Sequence, residues 1–446
     1  MSVAIEEIRK RKWLAIYAFL IMDVLQILFV SILNVDELNP YVVGIDLSRS
    51  SPIASTSLFL TIVLLQLFVV YYVAYAMQRS PELRPLHPHF DSKKKWECRY
   101  SRDEIVSWTL EQAEKSKVSV RKIYLVSSPL PNAFTFSLPG MGSIVAVYSN
   151  ILDILEPNEV KAIVAHEVGH ISNRDSIIQI FVRMPSFFVD TIYLYIYLRL
   201  AMGVSNALFL YGDPVLAGIR LGVLLVFFGF SRFLSIVSQA VMQKASREAE
   251  LLSDYHAAEI VGVEPTINGL VRLGQRSEAV SALIDEIRWL ESLNPERSGA
   301  LRRKELVRMI ELYPLDGIDE DNAREMAPWV FLSTRLRHMR EVYGLSLTDD
   351  QIKSAVEPAL DVLAEKRSKK KEEPEEKKGP GTIDWRTVDY DGDRRLSTEE
   401  LKDLLELLRK NPKKLMFDSE LSMSLWAMSH PDFRRRVLTV ADAFGL

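Results

Sequence analysis

Cysteine is nearly absent from this chain of 446 residues, which carries a single one, Cys98. One cysteine excludes an intrachain disulfide framework and a zinc site built from thiolates. The basic excess expected of a nucleic-acid-binding protein is also missing, because the formal net charge at pH 7 is -4. Histidine is scarce as well, with 7 residues, so two histidines at metal-ligand spacing are suggestive but need support from the rest of the chain.

Two of the few histidines, His166 and His170, enclose the pattern His-Glu-x-x-His inside a predicted helix from Pro157 to Ile171. Side chains four positions apart share one helical face, so both imidazole rings can reach the same metal ion. Glu167 is offset toward the place where a water molecule on that ion would lie. This pattern is typical of a zinc hydrolase.

Two long apolar runs lie near the N-terminus, Trp13–Leu33 with one charged residue and Ser57–Met77 with none. Each has the length that crosses the hydrocarbon core of a bilayer as a helix. A cleaved signal peptide is the competing interpretation of the first run, but the run is longer than an ordinary signal core. We therefore predict two transmembrane helices.

The charges around these runs predict the orientation. Basic residues precede the first run and follow the second, whereas the segment between them is acidic. The excess of positive charge on cytoplasmic segments then places the N-terminus and the chain after Met77 in the cytoplasm. The prediction is a multi-pass protein of the cell membrane with a cytoplasmic active site.

Two further apolar runs, Ile177–Leu198 and Val215–Val237, are interrupted by charged residues. A pair of buried soluble helices or a re-entrant hairpin is the competing interpretation. We favour a second spanning hairpin, which gives about four transmembrane helices in all. An even number of crossings returns the chain to the side that carries the histidines.

The remaining segments predict an α+β fold that is mostly helical, with a helix and short strands before the histidine helix. After the second hairpin a long helix is predicted over Ser238–Val261. Glu250 and Asp254 share one of its faces, at the spacing needed for a third metal ligand and a carboxylate that fixes the tautomer of a ligating histidine. A solvated charged helix is the alternative.

Residues 389–400 match the calcium-binding loop of an EF-hand at most of its ligand positions. Position 6, normally glycine, is Arg394, and Arg395 adds a second positive charge. A polar turn that opens a helix is therefore an equal alternative to a calcium site. The possible calcium ligands are Asp389, Asp391, Asp393, Ser397 and Glu400.

Together these motifs resemble the integral-membrane zinc metalloproteases of the gluzincin group, typified by the HtpX heat-shock protease and the CAAX prenyl endopeptidase. The resemblance covers Lys122 to Glu259 in order. Its parts are the strand Asn132–Phe134, the strand Ile144–Ser149, His-Glu-x-x-His with Asp175 after it, a hydrophobic hairpin, and Ser-Arg-x-x-Glu-x-x-x-Asp at 246–254.

The resemblance implies roles for individual residues. Zinc would be held by His166, His170 and Glu250, with Glu167 as the general base. Asp254 would orient a ligating histidine, and Asp175 would hold the turn after the metal helix.

Two more elements follow from the same resemblance. Asn132, Ala133 and Phe134 would bind the substrate backbone in extended form. His430 and Arg436 match a late His-Pro-x-x-x-x-Arg element that steadies the oxyanion in the family. Here 180 positions separate Glu250 from His430, a longer distance than is usual in the family.

The domain organisation expected from these patterns has seven parts. They are a transmembrane hairpin (1–90), the first part of a zinc-protease domain (91–176), a second hydrophobic hairpin (177–238), the second part of that domain with a helical region (239–365), a charged disordered linker (366–381), an EF-hand-like loop and helix (382–412), and a C-terminal helical segment (413–446).

The predicted function is a membrane-bound zinc endopeptidase that cleaves membrane or misfolded proteins at the cytoplasmic face, in protein quality control. Its expected partners are protein or peptide substrates and the lipid bilayer, and no nucleic acid. One alternative is a prenyl-protein processing peptidase of narrow specificity. Another is an inactive, calcium-responsive membrane scaffold.

Overall fold

The computed structural model describes residues 3–32, 52–79, 83–86, 99–126, 131–292, 323, 326–332, 348, 351, 354, 381–393, 395–417 and 431–446. Helices dominate these residues and accompany one small sheet, which confirms the mostly helical α+β class. The helices are α1 Val3–Ile32, α2 Pro52–Gln78, α3 Arg102–Lys115, α4 Ser149–Ile154, α5 Pro157–Ser172, α6 Asp175–Ser205, α7 Pro214–Val261, α8 Val263–Ser292, α9 Thr398–Lys410 and α10 Phe433–Phe444. The strands are β1 Leu83–Pro85, β2 Val120–Val126, β3 Ala133–Leu138 and β4 Gly142–Tyr148.

The sheet has the strand order β1-β2-β4-β3. β2 and β4 are parallel neighbours, whereas β1 pairs with β2 and β3 pairs with β4 in antiparallel fashion. The central strands contain the apolar runs 123–126 and 144–147, which are buried because both sheet faces are covered. β3 is thereby left at one end of the sheet, with Ala133 opposite Val147.

Helix α5 lies at the centre of the fold and carries the two histidines. Pro157 occupies its first turn, and Glu156 and Glu159 form a reciprocal capping box around the helix start. Val160, Val164 and Val168 belong to the core that includes the sheet residues. Because the helix is apolar on most sides, it is stable only when it is enclosed.

Helix α7 crosses α5 closely at Gly169. A Cβ atom placed on this glycine would lie 3.3 Å from the Cα atom of Ser253 and 3.2 Å from the Cβ atom of His256. The missing side chain therefore lets the two helix backbones approach each other. This close crossing brings the charged half of α7 beside the histidines.

Helix α7, Pro214–Val261, is the longest helix among the described residues. Among the described residues it is the one helix that is both long and apolar enough to cross a bilayer. Shorter apolar stretches are found at Leu64–Gln78 in α2 and at Ile196–Leu210, at the end of α6 and in the π-helical turn that follows. The prediction of four transmembrane helices therefore stays a prediction.

The C-terminal residues pack on α8 rather than standing apart. Trp385, Leu404, Phe417 and Phe433 are buried in one apolar cluster with side chains of α8 that include Leu270. Helix α10 also contacts α7. The C-terminal region thus shares a hydrophobic core with the helices that follow the second hairpin.

Substitution Gly274→Ala should weaken this packing. A Cβ atom at position 274 would lie 2.0 Å from the Cε2 atom of Phe417, whose side chain is fully buried. Overpacking of this kind costs about 1–3 kcal/mol of folding free energy. We expect faster proteolytic removal of the C-terminal region and a lower melting temperature in detergent. The matched control is Gly381→Ala, because no atom lies within 4 Å of that Cβ position, and equal behaviour of the two variants would contradict the packing argument.

Candidate metal centre

Three side chains converge between α5 and α7. The Nε2 atoms of His166 and His170 are 3.2 Å apart. Each Nε2 atom lies 3.5 Å from a different carboxylate oxygen of Glu250. The three side chains form a group whose ligand atoms are close enough to hold one metal ion.

The spacing of these atoms fits zinc. Bond lengths of about 2.0–2.1 Å in a tetrahedral site require ligand atoms about 3.3–3.4 Å apart. The Nε2 atoms of the two histidines, 3.2 Å apart, and the two distances of 3.5 Å from them to different oxygens of Glu250 are close to this spacing. Two neutral imidazoles and one carboxylate are also a donor set of catalytic zinc sites, which keep the fourth position open.

The outer nitrogen of His166 faces a buried carboxylate. Its Nδ1 atom lies 2.8 Å from Oδ1 of Asp254. Asp254 in turn accepts two hydrogen bonds from Arg436, from Nε at 2.8 Å and from Nη2 at 2.6 Å. Asp254 therefore links a histidine on α5 to the C-terminal helix α10, and a carboxylate close to Nδ1 favours the form of the ring whose Nε2 lone pair is available to a metal.

The outer nitrogen of His170 has an equivalent partner. Its Nδ1 atom lies 2.8 Å from Oδ2 of Asp175 and 3.1 Å from Oγ of Ser253. Arg174 adopts a left-handed conformation with φ 54°, which ends α5 and turns the chain so that α6 begins at Asp175. Asp175 thus does more than hold the turn, because it is the acceptor for the second histidine.

Charges around the site shift the protonation of both histidines. Burial lowers the pKa of His166, but the neighbouring charge and hydrogen bond of Asp254 raise it above its ordinary value. Burial opposes ionisation of His170 in the same way, and Asp175 together with Glu250 brings its pKa well above the ordinary value. A metal ion must therefore displace protons to bind, which makes its affinity fall as the pH is lowered.

The buried carboxylate of Asp254 remains ionised. Burial alone would raise its pKa, but the charge and hydrogen bonds of Arg436 lower the pKa to about 2. A permanent negative charge behind His166 makes the ring a better electron donor.

A cleft of about 290 Å³ opens onto the cluster. Strand β3 and the residue before it form one wall, because Asn132, Ala133 and Phe134 line the cleft beside the two histidines. Glu167, which is 7% exposed, and Arg436 line it as well. The structure therefore brings together the residues predicted as ligands, base and substrate-binding strand in one cavity.

The other predicted site residues divide into two groups. His430 lies outside the described residues. The aspartates 389, 391 and 393 form a second group of neighbouring carboxylates, which does not include Glu400. Ser397 and Glu400 lie at the start of α9. These two residues instead form the capping box of α9, and Glu400 also accepts a hydrogen bond from the backbone N–H of Tyr390. The calcium prediction gains no support from this arrangement.

The same loop is attached to the protease core by other contacts. Arg395 donates to Glu156 at the start of α5, at 2.7 Å. The buried Asn268 on α8 bonds both the backbone N–H and the carbonyl of Leu396 at 2.9 Å. These contacts hold the loop beside α5 and α8.

Two residues of the site were not found from the sequence. Ser253 contacts His170 but has no motif of its own, although it directly precedes Asp254. Lys12 donates a hydrogen bond to Oδ1 of Asp175. In the sequence Lys12 is one of several basic residues before an apolar run. That pattern does not predict a contact with a residue 163 positions away.

Comparison with known proteins agrees with this geometry. The sequence profile described as peptidase family M48 matches residues 101–443. Similar proteins include "Protease HtpX homolog" from Thermoplasma acidophilum, 30% identical over 125 residues that cover 26% of this chain and 36% of that protein. "Protease HtpX" from Photorhabdus laumondii is 29% identical over 184 residues, covering 38% and 59% of the two chains. "Protease HtpX homolog 1" from Saccharolobus solfataricus is 30% identical over 151 residues, covering 34% and 47%.

The chain thus matches between about one third and about three fifths of the length of these relatives. The matched profile, in contrast, reaches from helix α3 to helix α10. It includes the described residues of the candidate metal centre except Lys12, which lies on α1.

Proposed function

The chain belongs to peptidase family M48, and on that premise we propose that it is a membrane-bound, zinc-dependent endopeptidase. The observation that carries the proposal is the convergence of His166, His170 and Glu250 at separations close to those between the ligand atoms of a tetrahedral zinc site. Its substrates are membrane or misfolded proteins, cleaved at the cytoplasmic face in protein quality control.

The chemistry divides between the metal and the residues of the cleft. Zinc, when bound, supplies Lewis acidity that polarises the scissile carbonyl and makes water a stronger acid. Glu167 takes the proton of the attacking water on its carboxylate and delivers it to the nitrogen of the leaving amine. Arg436, held in place by Asp254, puts a positive charge on the cleft wall where negative charge develops on the carbonyl oxygen.

The substrate backbone pairs with strand β3. This strand has β4 on one side, and its residues Ala133 and Phe134 line the cleft on the other. Such an edge offers backbone N–H and C=O groups to an extended peptide. Pairing along the edge lays a scissile bond across the metal position.

The position of the site relative to the apolar helices supports a membrane-facing enzyme. Glu250 lies on α7 thirteen residues beyond Val237, the end of the apolar run, which is about 20 Å along a helix. With the N-terminus and the segment after Met77 in the cytoplasm, the metal centre stands just outside the bilayer on the cytoplasmic side.

A second cavity supports substrates with apolar segments. It has a volume of about 570 Å³, lies between α2 and α6, and shares Thr135, Ser176 and Gln179 with the cleft. Its walls are otherwise mostly apolar. They consist of Leu65, Gln66, Val69, Val70, Phe136, Ile180 and Arg183. A peptide lying along β3 would pass from the metal centre into this space between two apolar helices.

Metal removal tests the proposal. The purified chain in detergent should contain about one zinc ion per molecule, and a chelator should abolish its cleavage of an unfolded protein. Adding zinc back should restore cleavage, whereas calcium should not. A preparation that cleaves substrate without bound zinc would refute the proposed chemistry.

The choice of substrate separates the proposal from its alternatives. An unfolded soluble protein, a membrane protein and a prenylated peptide with a three-residue extension are offered to the same preparation. Cleavage of the first two supports a quality-control protease, and cleavage of the prenylated peptide alone supports a processing peptidase. Zinc binding without cleavage of any of them supports the inactive scaffold.

A further inference from the structure

Lys12 occupies an unusual position for a basic residue at the start of an apolar helix. Its side chain is buried, with 5% of its surface exposed, whereas Lys10 and Arg11 beside it are exposed. Its ammonium group pairs with Asp175, which is 4% exposed. A lysine that only marks the cytoplasmic end of a membrane helix would keep its charge in water.

The pairing completes a symmetrical arrangement around the metal position. Each ligating histidine has its Nδ1 atom 2.8 Å from a buried aspartate, Asp254 behind His166 and Asp175 behind His170. Each aspartate is in turn paired with a buried cation from a distant end of the chain. That cation is Arg436 from α10 in the first case and Lys12 from α1 in the second.

The cation matters because it fixes the position of the Asp175 carboxylate, one oxygen of which contacts Lys12 while the other contacts Nδ1 of His170. In this position Asp175 accepts the Nδ1–H of His170 and so leaves the lone pair on Nε2, the atom that faces Glu250. A displaced Asp175 would allow the other tautomer, in which Nε2 carries the hydrogen and cannot bind a metal.

Packing fixes α1 at the place where Lys12 can act. Ile5 and Ile8 pack on Leu251 and Leu252, which directly follow Glu250 on α7. After Lys12, the residues Ala15, Ile16 and Phe19 pack in a cluster with Val182 of α6 and with Met242 and Ala245 of α7. Lys12 is thus held between the two helices that carry Asp175 and Glu250.

We propose that Lys12 is a positioning residue of the metal centre, whose ammonium group holds the carboxylate of Asp175 against Nδ1 of His170 and thereby keeps the ring in the orientation and tautomer that bind zinc. The N-terminal membrane helix is then an integral part of the site and not only an anchor. This inference rests on the zinc binding proposed above.

Zinc affinity of the full chain in detergent, measured by competition with a chromophoric chelator, tests the inference. Lys12→Met should weaken zinc binding about 10–100-fold, the usual effect of losing a partner behind a ligand. Lys12→Arg keeps the charge and should restore most of the affinity. The matched control is Lys10→Met, which removes the same charge from the same flank of α1 at an exposed position and should bind zinc like the unaltered chain.

A double variant shows whether Lys12 acts through Asp175. If it does, Lys12→Met combined with Asp175→Asn should bind zinc no more weakly than Asp175→Asn alone, because the two changes break the same link. Additive losses would overturn the inference, and so would unaltered affinity in Lys12→Met.

Two further outcomes remain distinguishable. If Lys12→Met does not fold, the double variant still tests the inference, because it leaves neither the lysine nor the aspartate charge buried without its partner. Zinc binding by the double variant that is weaker than zinc binding by Asp175→Asn then overturns the inference. If the unaltered chain binds no zinc, the proposed function itself fails.

Discussion

Glu167→Gln should reduce proteolysis by about 10²–10⁴-fold and leave the zinc content unchanged. The range is the usual contribution of a general acid–base group. Glutamine keeps the size and the polar surface of the side chain but cannot accept and return a proton. Zinc should remain because Glu167 does not belong to the three-residue group whose ligand atoms converge, His166, His170 and Glu250.

The measurement is the rate of cleavage of an unfolded protein, with zinc content determined on the same sample. Glu111→Gln is a suitable control, because Glu111 is a partly exposed residue of α3 whose ion pairs with Lys115 and Lys161 are surface contacts of small energetic value. Full activity of Glu167→Gln would remove Glu167 from the mechanism. Loss of zinc in this variant would instead place its carboxylate among the ligands.

The first half of the candidate metal centre could be predicted because its residues are neighbours in the sequence. His166, Glu167 and His170 lie on one turn of one helix, so their spacing alone indicates a shared metal. Glu250 and Asp254 show the same four-residue spacing on a second helix, and the resemblance to zinc metalloproteases connects the two. The structure adds the close approach of α5 and α7 at Gly169. This approach depends on the path of α7 and could not be predicted from the sequence.

The cations behind the aspartates show why the rest could not be predicted. Lys12 and Arg436 lie at opposite ends of the chain, and each is one of several neighbouring basic residues. The faces of α1 and α10 that pack toward α7 decide which of these basic residues becomes buried, and the local sequence does not show those faces. The spacing of the late His-Pro-x-x-x-x-Arg element selected Arg436, whereas nothing comparable selected Lys12.

The calcium-like loop shows a different limit. Ser397 and Glu400 occupy the last two ligand positions of an EF-hand loop, but serine and glutamate at this spacing also form a capping box. An EF-hand loop and a capping box both place serine and glutamate three positions apart, so the sequence pattern cannot distinguish a calcium site from a helix cap. In the structure the side chains of Ser397 and Glu400 cap α9. Arg395 forms an ion pair with Glu156 at the start of α5.

Asp254→Leu should destabilise the chain strongly, because it leaves Arg436 buried without its counter-charge. Both side chains are buried, and the guanidinium binds the carboxylate through two hydrogen bonds. Removing one member of such a pair costs about 3–5 kcal/mol of folding free energy. The melting temperature in detergent, with and without added zinc, measures the effect.

The double variant Asp254→Leu with Arg436→Met separates stability from metal binding. Replacing a buried ion pair by apolar residues of similar volume is often neutral for stability, so this variant should recover most of the lost melting temperature. It should not recover zinc affinity, because the carboxylate 2.8 Å from Nδ1 of His166 is still missing. Recovery of both would mean that Asp254 only neutralises Arg436. Recovery of stability alone would assign Asp254 a direct part in holding the metal ligand, with Arg436 as the residue that allows the aspartate to be buried.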